Sequence, residues 1–217
     1  MVQSSIFSVI SPIMVGPSSS HTAGAVRLGL MARNIYKRNF KKVKFVLYNS
    51  YAETGFGHGT DKGLLAGILG YNVDDKRIKD IFDNVQNVEY SYDYVQDISR
   101  HPNSVDIIID DKMVIVGNSV GAGNIIVSAI DEFPTKISGK YDTLVIFYKD
   151  IPGMISKVCK IIQNQNINIA SLSCERSSKG GKASMCFELD ADIEQSMVGE
   201  IEKLDNVFFA TSIGKLK

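Results

Sequence analysis

From residue 141 to its end the chain reads strand, helix, strand, strand, helix, strand, and that order within about 75 residues leaves few folds open. Residues 141–149 (YDTLVIFYK) form a β-rich run that Asp-Ile-Pro-Gly at 150–153 breaks. A helical stretch follows, in which Ile155, Val158, Cys159 and Ile162 fall at i, i+3, i+4 and i+7, one face of a 3.6-residue period. Residues 167–174 read as a strand and Lys179-Gly180-Gly181-Lys182 as a turn. In the next strand Ala183, Met185, Phe187 and Leu189 point to one side, and Ser184, Cys186 and Glu188 to the other. A second helix carries Met197, Ile201 and Leu204 on one face, and residues 207–213 form the last strand. The expected unit is a ferredoxin-like βαββαβ sheet with two helices on one face, in an α+β chain.

The first half is less regular. Residues 22–39 read as a helix, with hydroxyls at Ser18, Ser19 and Ser20 available as N-caps and Lys37 and Arg38 suited to the negative end of its dipole. Residues 43–48 read as a strand and 61–69 as a short helix closed by Gly70, while 83–86 and 87–94 are ambiguous. Further strands are expected at 105–109, 113–118 and 124–130. Residues 133–140, with Pro134 and Gly139, read as a linker. Two domains are therefore expected, residues 1–140 and 141–217.

Composition narrows the function classes. Lys+Arg and Asp+Glu are both 24, so the net charge is zero and the basic excess that drives nucleic-acid binding is missing. No apolar run approaches the ~20 residues that span a bilayer, so no membrane association is expected. No basic residue precedes Arg27, which removes the charged start of a signal peptide and leaves the cytoplasm as the expected compartment. Three cysteines at unremarkable spacing suggest neither a disulfide framework nor a metal site.

Two segments carry the candidate chemistry. The first is Ser11-Pro12-Ile13-Met14-Val15-Gly16-Pro17-Ser18-Ser19-Ser20-His21-Thr22-Ala23-Gly24. Three hydroxyls lead through His21 into a helix, whose free first-turn amides attract a carboxylate or phosphate. A capped helix behind an exposed loop is the plainer account, although the tract holds more polar groups than one cap requires. The second segment is Glu53-Thr54-Gly55-Phe56-Gly57-His58-Gly59-Thr60-Asp61-Lys62-Gly63. There His58 stands between glycines that let a ligand approach the backbone, and Thr60 or Asp61 caps the next helix. An ordinary glycine-rich strand-to-helix loop is the alternative. His101-Pro102-Asn103-Ser104 and the run from Gly117 to Asn124 read as turns, or as lesser parts of a site.

These motifs carry two resemblances. The βαββαβ order, with Asp-x-Pro-Gly after its first strand and Asn166-Ile167-Asn168-Ile169-Ala170 opening the second, resembles the ACT domain, a small amino-acid-binding regulatory module. The first motif together with Gly57-His58-Gly59-Thr60-Asp61-Lys62, His-Pro-Asn-Ser and Ser119-Val120-Gly121-Ala122-Gly123 resembles the β-chain region of bacterial iron–sulfur L-serine dehydratases. Ala25 and Ala122 are mild departures from that pattern. The first domain of that family is also similar to the allosteric substrate-binding domain of some phosphoglycerate dehydrogenases.

The resemblance implies deamination of L-serine to pyruvate and ammonia, a step of serine catabolism, with a [4Fe–4S] cluster held by a separate α subunit and no cluster ligand in this chain. It places His58 and His21 at the catalytic site, His58 slightly favoured as base. Ser18, Ser19, Ser20, Thr22, Gly57, Thr60 and Asp61 would bind substrate. Asp150, Gly153, Met154 and Asn168 would bind an amino-acid effector between ACT copies, which implies a homo-oligomer. The competing class is a non-catalytic regulatory subunit that binds an anion and an amino acid.

Overall fold

A computed structural model of the chain describes residues 14–216, so Ser11, Pro12 and Ile13 of the first motif lie outside the described residues. Its contacts divide into two compact units between Val127 and Ser128. No helix among the described residues is long and apolar enough to cross a membrane.

In the first unit a turn of π-helix at Ser19–Ala23 runs directly into α1 (Gly24–Tyr36). Ala25, Leu28, Ala32 and Ile35 recur on one helical face and are buried, which sets how α1 lies on the sheet. The helix ends three residues earlier than the expected 39, because Lys37 turns left-handed (φ 57°) and its amide caps the Arg33 carbonyl. Strand β1 (Lys42–Asn49) leads into α2 (Ser50–His58), and α3 (Thr60–Ile68) follows after the single residue Gly59. A 3₁₀ segment at Lys76–Asn84 precedes β2 (Glu89–Val95), which resolves the ambiguous stretch as helical turn and then strand. Next come β3 (Asn103–Ile109), β4 (Met113–Gly121) and β5 (Asn124–Ile130). The strands lie in the order β2-β1-β3-β4-β5, with β1 parallel to β2 and antiparallel to β3.

Two expectations need correction here. Residues 53–58 are helix rather than loop: Gly55 and Gly57 lower helix propensity, but the buried Tyr51 side chain anchors the segment from its first turn. Residues 133–137 are not linker either. They form strand β6 (Phe133–Ile137), where Phe133 stacks on Phe147 at 4.0 Å between ring centroids.

The seam between α1 and α3 is built from glycine. A Cβ on Gly29 would lie 2.6 Å from the Ile68 nitrogen, one on Gly63 would lie 2.8 Å from the Thr22 carbonyl, and one on Gly67 would overlap the Val26 carbonyl. Only backbone without side chains lets the two helices meet this closely.

The second unit holds β6, β7 (Asp142–Lys149), α4 (Met154–Asn164), β8 (Ile169–Arg176), β9 (Lys182–Leu189), α5 (Gln195–Glu202) and β10 (Val207–Ile213). Strand order β10-β7-β9-β8, antiparallel throughout, is the ferredoxin-like arrangement. Met154, Val158, Ile161 and Ile162 of α4 and Met197, Val198 and Ile201 of α5 pack on Ala183, Met185, Phe187 and Leu189 of β9. Ile155, expected on the buried face of α4, is exposed, since Met154 and Ile161 take the core side in its place. Ser184, Cys186 and Glu188 face the other side of β9 as expected and are buried too.

Candidate functional site

Gly16 begins the site at φ +112°, a conformation other residues rarely adopt, and a Cβ there would lie 2.6 Å from the Thr22 side chain. Ser18 then caps the π-turn: its Oγ accepts from the His21 amide at 3.2 Å, and its carbonyl accepts from the Thr22 amide at 2.8 Å. The Ser20 carbonyl receives two donors, the Tyr51 hydroxyl at 2.9 Å and the Ser119 hydroxyl at 2.8 Å. Both of its lone pairs are thus engaged, and the turn is tied to α2 on one side and β4 on the other. Gly24 is required for this closure, because a Cβ there would overlap the Ser119 side chain.

Helix α2 brings the second imidazole. Ser50, Thr54 and His58 stand at i, i+4 and i+8, on one helical face. That face meets His21: Thr54 Oγ1 lies 3.0 Å and Ser50 Oγ 3.4 Å from His21 Nε2. The His21 ring centroid is 5.1 Å from that of His58 and 5.3 Å from that of Tyr51. Thr22 donates its hydroxyl proton to the His58 carbonyl at 2.8 Å, so the residue after one histidine clasps the backbone of the other.

The entry to α2 is held under constraint. Asn49 adopts φ 51° and ψ −118°, a region disfavoured for residues with a side chain. Its side-chain amide donates to the Asp97 carbonyl at 2.8 Å and accepts from the Asp97 amide at 2.9 Å. The Tyr51 amide donates to the Pro102 carbonyl at 3.3 Å, which sets His101-Pro102-Asn103-Ser104 against the start of the helix. His101 itself is exposed, and its Nδ1 accepts from the Asn103 amide at 3.1 Å.

Burial is the main cause that lowers the pKa of His21 below its ordinary value of 6.5; repulsion from His58 adds to it, and the Ser50 carbonyl opposes it. Tyr51 is pushed far above the ordinary phenol range by burial and so remains a donor. Burial likewise raises Asp61, whose Oδ1 accepts from the Lys62 amide at 2.8 Å. Thr60 is fully buried and its hydroxyl lacks a partner. Thr60 and Asp61 therefore lie beneath the surface, whereas Gly57 and the His58 side chain are exposed. An open pocket of about 240 Å³ runs beside them, lined by Gly16, Pro17, Thr22, Gly57, Gly59 and Lys62 among others.

In the second unit the candidate effector residues do not converge within one chain. Asp150 accepts from Arg176 Nη1 at 3.2 Å and from the Gly180 amide at 3.1 Å, and those bonds, the amide foremost, hold it below the usual carboxylate range. Gly153 (φ 85°) opens α4 and Met154 is buried. Asn168 donates to Asp190 at 2.7 Å and lines a separate pocket of about 340 Å³ with Cys159, Ile162 and Ile167. The two groups sit at opposite ends of α4, about 16 Å apart at 1.5 Å per residue.

The cysteines do not fit an iron–sulfur cluster: Cys159 is half-buried on α4, Cys174 exposed on β8 and Cys186 buried on β9. Among the described residues no group of three or more His, Cys, Asp or Glu side chains could hold a metal ion.

Ser50 and Tyr51 complete the site without having been singled out by sequence, and Thr54 and Ser119 lay within the candidate segments without a role of their own. The i, i+4, i+8 spacing of Ser50, Thr54 and His58 was the signal that marked Ser50 and Thr54.

Residues 5–122 match the family model for the serine dehydratase beta chain. The chain is 32% identical to the probable L-serine dehydratase β chain of Bacillus subtilis over 214 residues, 96% of this chain and 97% of that one. The chain belongs to the serine dehydratase β-chain family. To the L-serine dehydratase β chain of Peptoniphilus asaccharolyticus it is 34% identical, over 93% of this chain and 94% of that one. Within this serine dehydratase β-type chain residues 143–206 match the ACT domain. A further similarity, 30% over 91 residues, links 42% of it to 16% of the D-3-phosphoglycerate dehydrogenase of a Synechocystis species.

Proposed function

We propose that this chain is the β subunit of an iron–sulfur L-serine dehydratase, working in the cytoplasm with an α subunit that carries the [4Fe–4S] cluster. The observation that supports a catalytic role is the pair of imidazoles held 5.1 Å apart at an exposed face by three separate segments. The reaction removes the α-proton and the β-hydroxyl of L-serine as water, and the resulting aminoacrylate takes up water to give pyruvate and ammonia. This chain supplies the proton chemistry. Departure of the hydroxyl falls to the α subunit.

His58 is the favoured base, because its ring stands exposed between glycines that let a substrate approach. Burial, and then the neighbouring His58, lower the pKa of His21 and favour its neutral ring. His21 orients the substrate or protonates the leaving hydroxyl. The hydroxyls of Ser18, Ser19 and Ser20, with the backbone at Gly57, hold the carboxylate. Thr22 has its proton committed to the His58 carbonyl and, with buried Thr60 and Asp61, shapes the site from below.

Anaerobic reconstitution with the α subunit and a pyruvate assay on L-serine tests this reading. His21→Ala and His58→Ala should each cost about 10² or more in turnover, the contribution of a positioned acid or base. Retention of turnover within about threefold in both would overturn it. That outcome would leave the second reading, a non-catalytic regulatory subunit, which the similarity to a phosphoglycerate dehydrogenase favours. For the ACT unit we propose L-serine as effector, bound between two copies so that Asp150, Gly153 and Met154 of one face Asn168 of the other. Calorimetric titration of the chain with L-serine should give heat; heat only from the complex with the α subunit would place the effector elsewhere.

A further inference from the structure

Thr22 Oγ1 donates to the His58 carbonyl oxygen at 2.8 Å, and the direction of that bond is fixed because a carbonyl only accepts. The carbonyl belongs to the last residue of α2, where a helix leaves its carbonyl groups without partners of its own. The last turn of α2 holds Gly55 and Gly57, which weaken it, and ends on the left-handed Gly59, whose amide donates to the Gly55 carbonyl. That bond closes the turn on itself. The Thr22 bond ties it, across 36 residues, to the segment that carries His21. Among the described residues nothing hydrogen-bonds the His58 ring, so the backbone that carries it and the contact with His21 place it.

Thr22 is itself firmly seated. Its side chain is buried, and its amide donates to the Ser18 carbonyl at 2.8 Å. A Cβ on Gly16 would lie 2.7 Å from Thr22 Oγ1, and one on Gly59 would lie 3.7 Å from it. Backbone at both glycines thus stands close against the hydroxyl and leaves it little room to turn away from His58.

We propose that Thr22 is a positioning residue, whose hydroxyl fixes the last turn of α2 and so holds the His58 imidazole at its distance from His21. The placing of the ring follows from bonds within this chain; its consequence for turnover rests on the reading of His58 as the base. A base displaced by an ångström from the proton it takes loses about 10² in rate.

Cross-relaxation between histidine ring protons, in a full chain deuterated elsewhere, reads the placement directly. In a His101→Asn background His21 and His58 are the remaining two of the three histidines, so every histidine-to-histidine cross-peak lies between them. With ring centroids 5.1 Å apart, the parent chain should show that cross-peak. Thr22→Val keeps the shape of the side chain without its donor, and should lose most of the intensity. Thr22→Ser keeps the donor and should retain it. Thr22→Ala, which cannot overfill the space, takes the place of Thr22→Val if that variant does not fold.

In the reconstituted complex Thr22→Val should lower kcat by about 10- to 10²-fold with KM nearly unchanged, and Thr22→Ser should return it to within about threefold of wild type. A donor-less variant with an undiminished cross-peak overturns the proposal, and so does a Thr22→Ser chain that behaves like Thr22→Val, which would make the shape rather than the hydrogen bond responsible. Either result leaves the base reading standing if His58→Ala is inactive. An active His58→Ala complex removes the base reading, and the cross-peak then still decides whether Thr22 places the ring.

Discussion

The two units solve the same packing problem, helices on a sheet, with opposite materials. In the ACT unit the helices rest on side chains: Met154, Val158 and Ile162 of α4 and Met197 and Ile201 of α5 stand on the apolar face of β9. In the first unit α1 and α3 meet backbone to backbone through Gly29, Gly63 and Gly67. Side-chain contacts give by rotamer changes and tolerate volume-conserving exchange; backbone contacts have nothing to rotate. The difference follows what each unit carries. The imidazoles of His21 and His58 belong to segments adjoining α1 and α3, and a shift of an ångström at that seam displaces one ring from the other.

The largest effect expected from this contrast is at Gly67. Gly67→Ala drives a methyl group into the Val26 carbonyl, and the only relief is separation of α1 from α3. Overpacking ordinarily costs 1–3 kcal/mol, and an unyielding partner should put this case at about 3 kcal/mol or more. Urea unfolding followed by hydrogen exchange of peptides from residues 24–68 measures it, and residues 142–213 should keep their protection. Loss of less than about 1 kcal/mol would mean that the seam yields like a side-chain interface. The counterpart in the other unit is Gly199, on α5, where a Cβ would meet nothing within 4 Å. Gly199→Ala should therefore stabilise the ACT unit by about 0.5–1 kcal/mol, the helix-propensity difference, as an upward shift of its urea midpoint. A destabilised Gly199→Ala chain would remove the claim that this unit has room to spare.

The same contrast explains what the sequence disclosed. The ACT unit was legible because each element speaks for itself. Ala183, Met185, Phe187 and Leu189 alternate as a strand with one face in the core must, and Val158 and Ile162 recur at helical spacing. Its misread helix position, Ile155, lies next to Met154, and either could take the core side on periodicity alone. In the first unit α2 was hidden because glycines at 55, 57 and 59 mimic a loop. What makes it a helix acts across the fold, through the Tyr51 hydroxyl on the Ser20 carbonyl and the Thr22 hydroxyl on the His58 carbonyl. Strand β6 was hidden behind Pro134 for a similar reason, its evidence being the distant Phe147 ring. Ser119 lay within a run read as a hairpin turn, and its role depends on a carbonyl 99 residues away. Short-range pattern can name His21 and His58 as candidates; only the folded chain gives their separation, their partners and the burial that favours neutral His21.

The smallest effect expected is a tilt of stability with pH confined to the first unit. In the unfolded chain His21 takes a proton near its ordinary value of 6.5, whereas in the fold burial, and then His58, depress that value. Between the two values the unfolded chain binds more protons than the folded one, so acid favours unfolding. The stability that neutral His21 preserves is present in full above 6.5 and is lost as pH falls from there through the folded value, below which both states are protonated and the loss stops. Asp61 tilts the other way, because burial raises its pKa and the folded chain then binds the extra proton. Comparing wild type with His21→Asn cancels that opposing term. The urea midpoint of residues 24–68 should fall between about pH 7.5 and pH 5.5 in wild type more than in His21→Asn, while that of residues 142–213 should not distinguish the two proteins. Equal slopes in the first unit would show that His21 titrates as it does in the unfolded chain, and the crowding that ties its protonation to His58 would have to be abandoned.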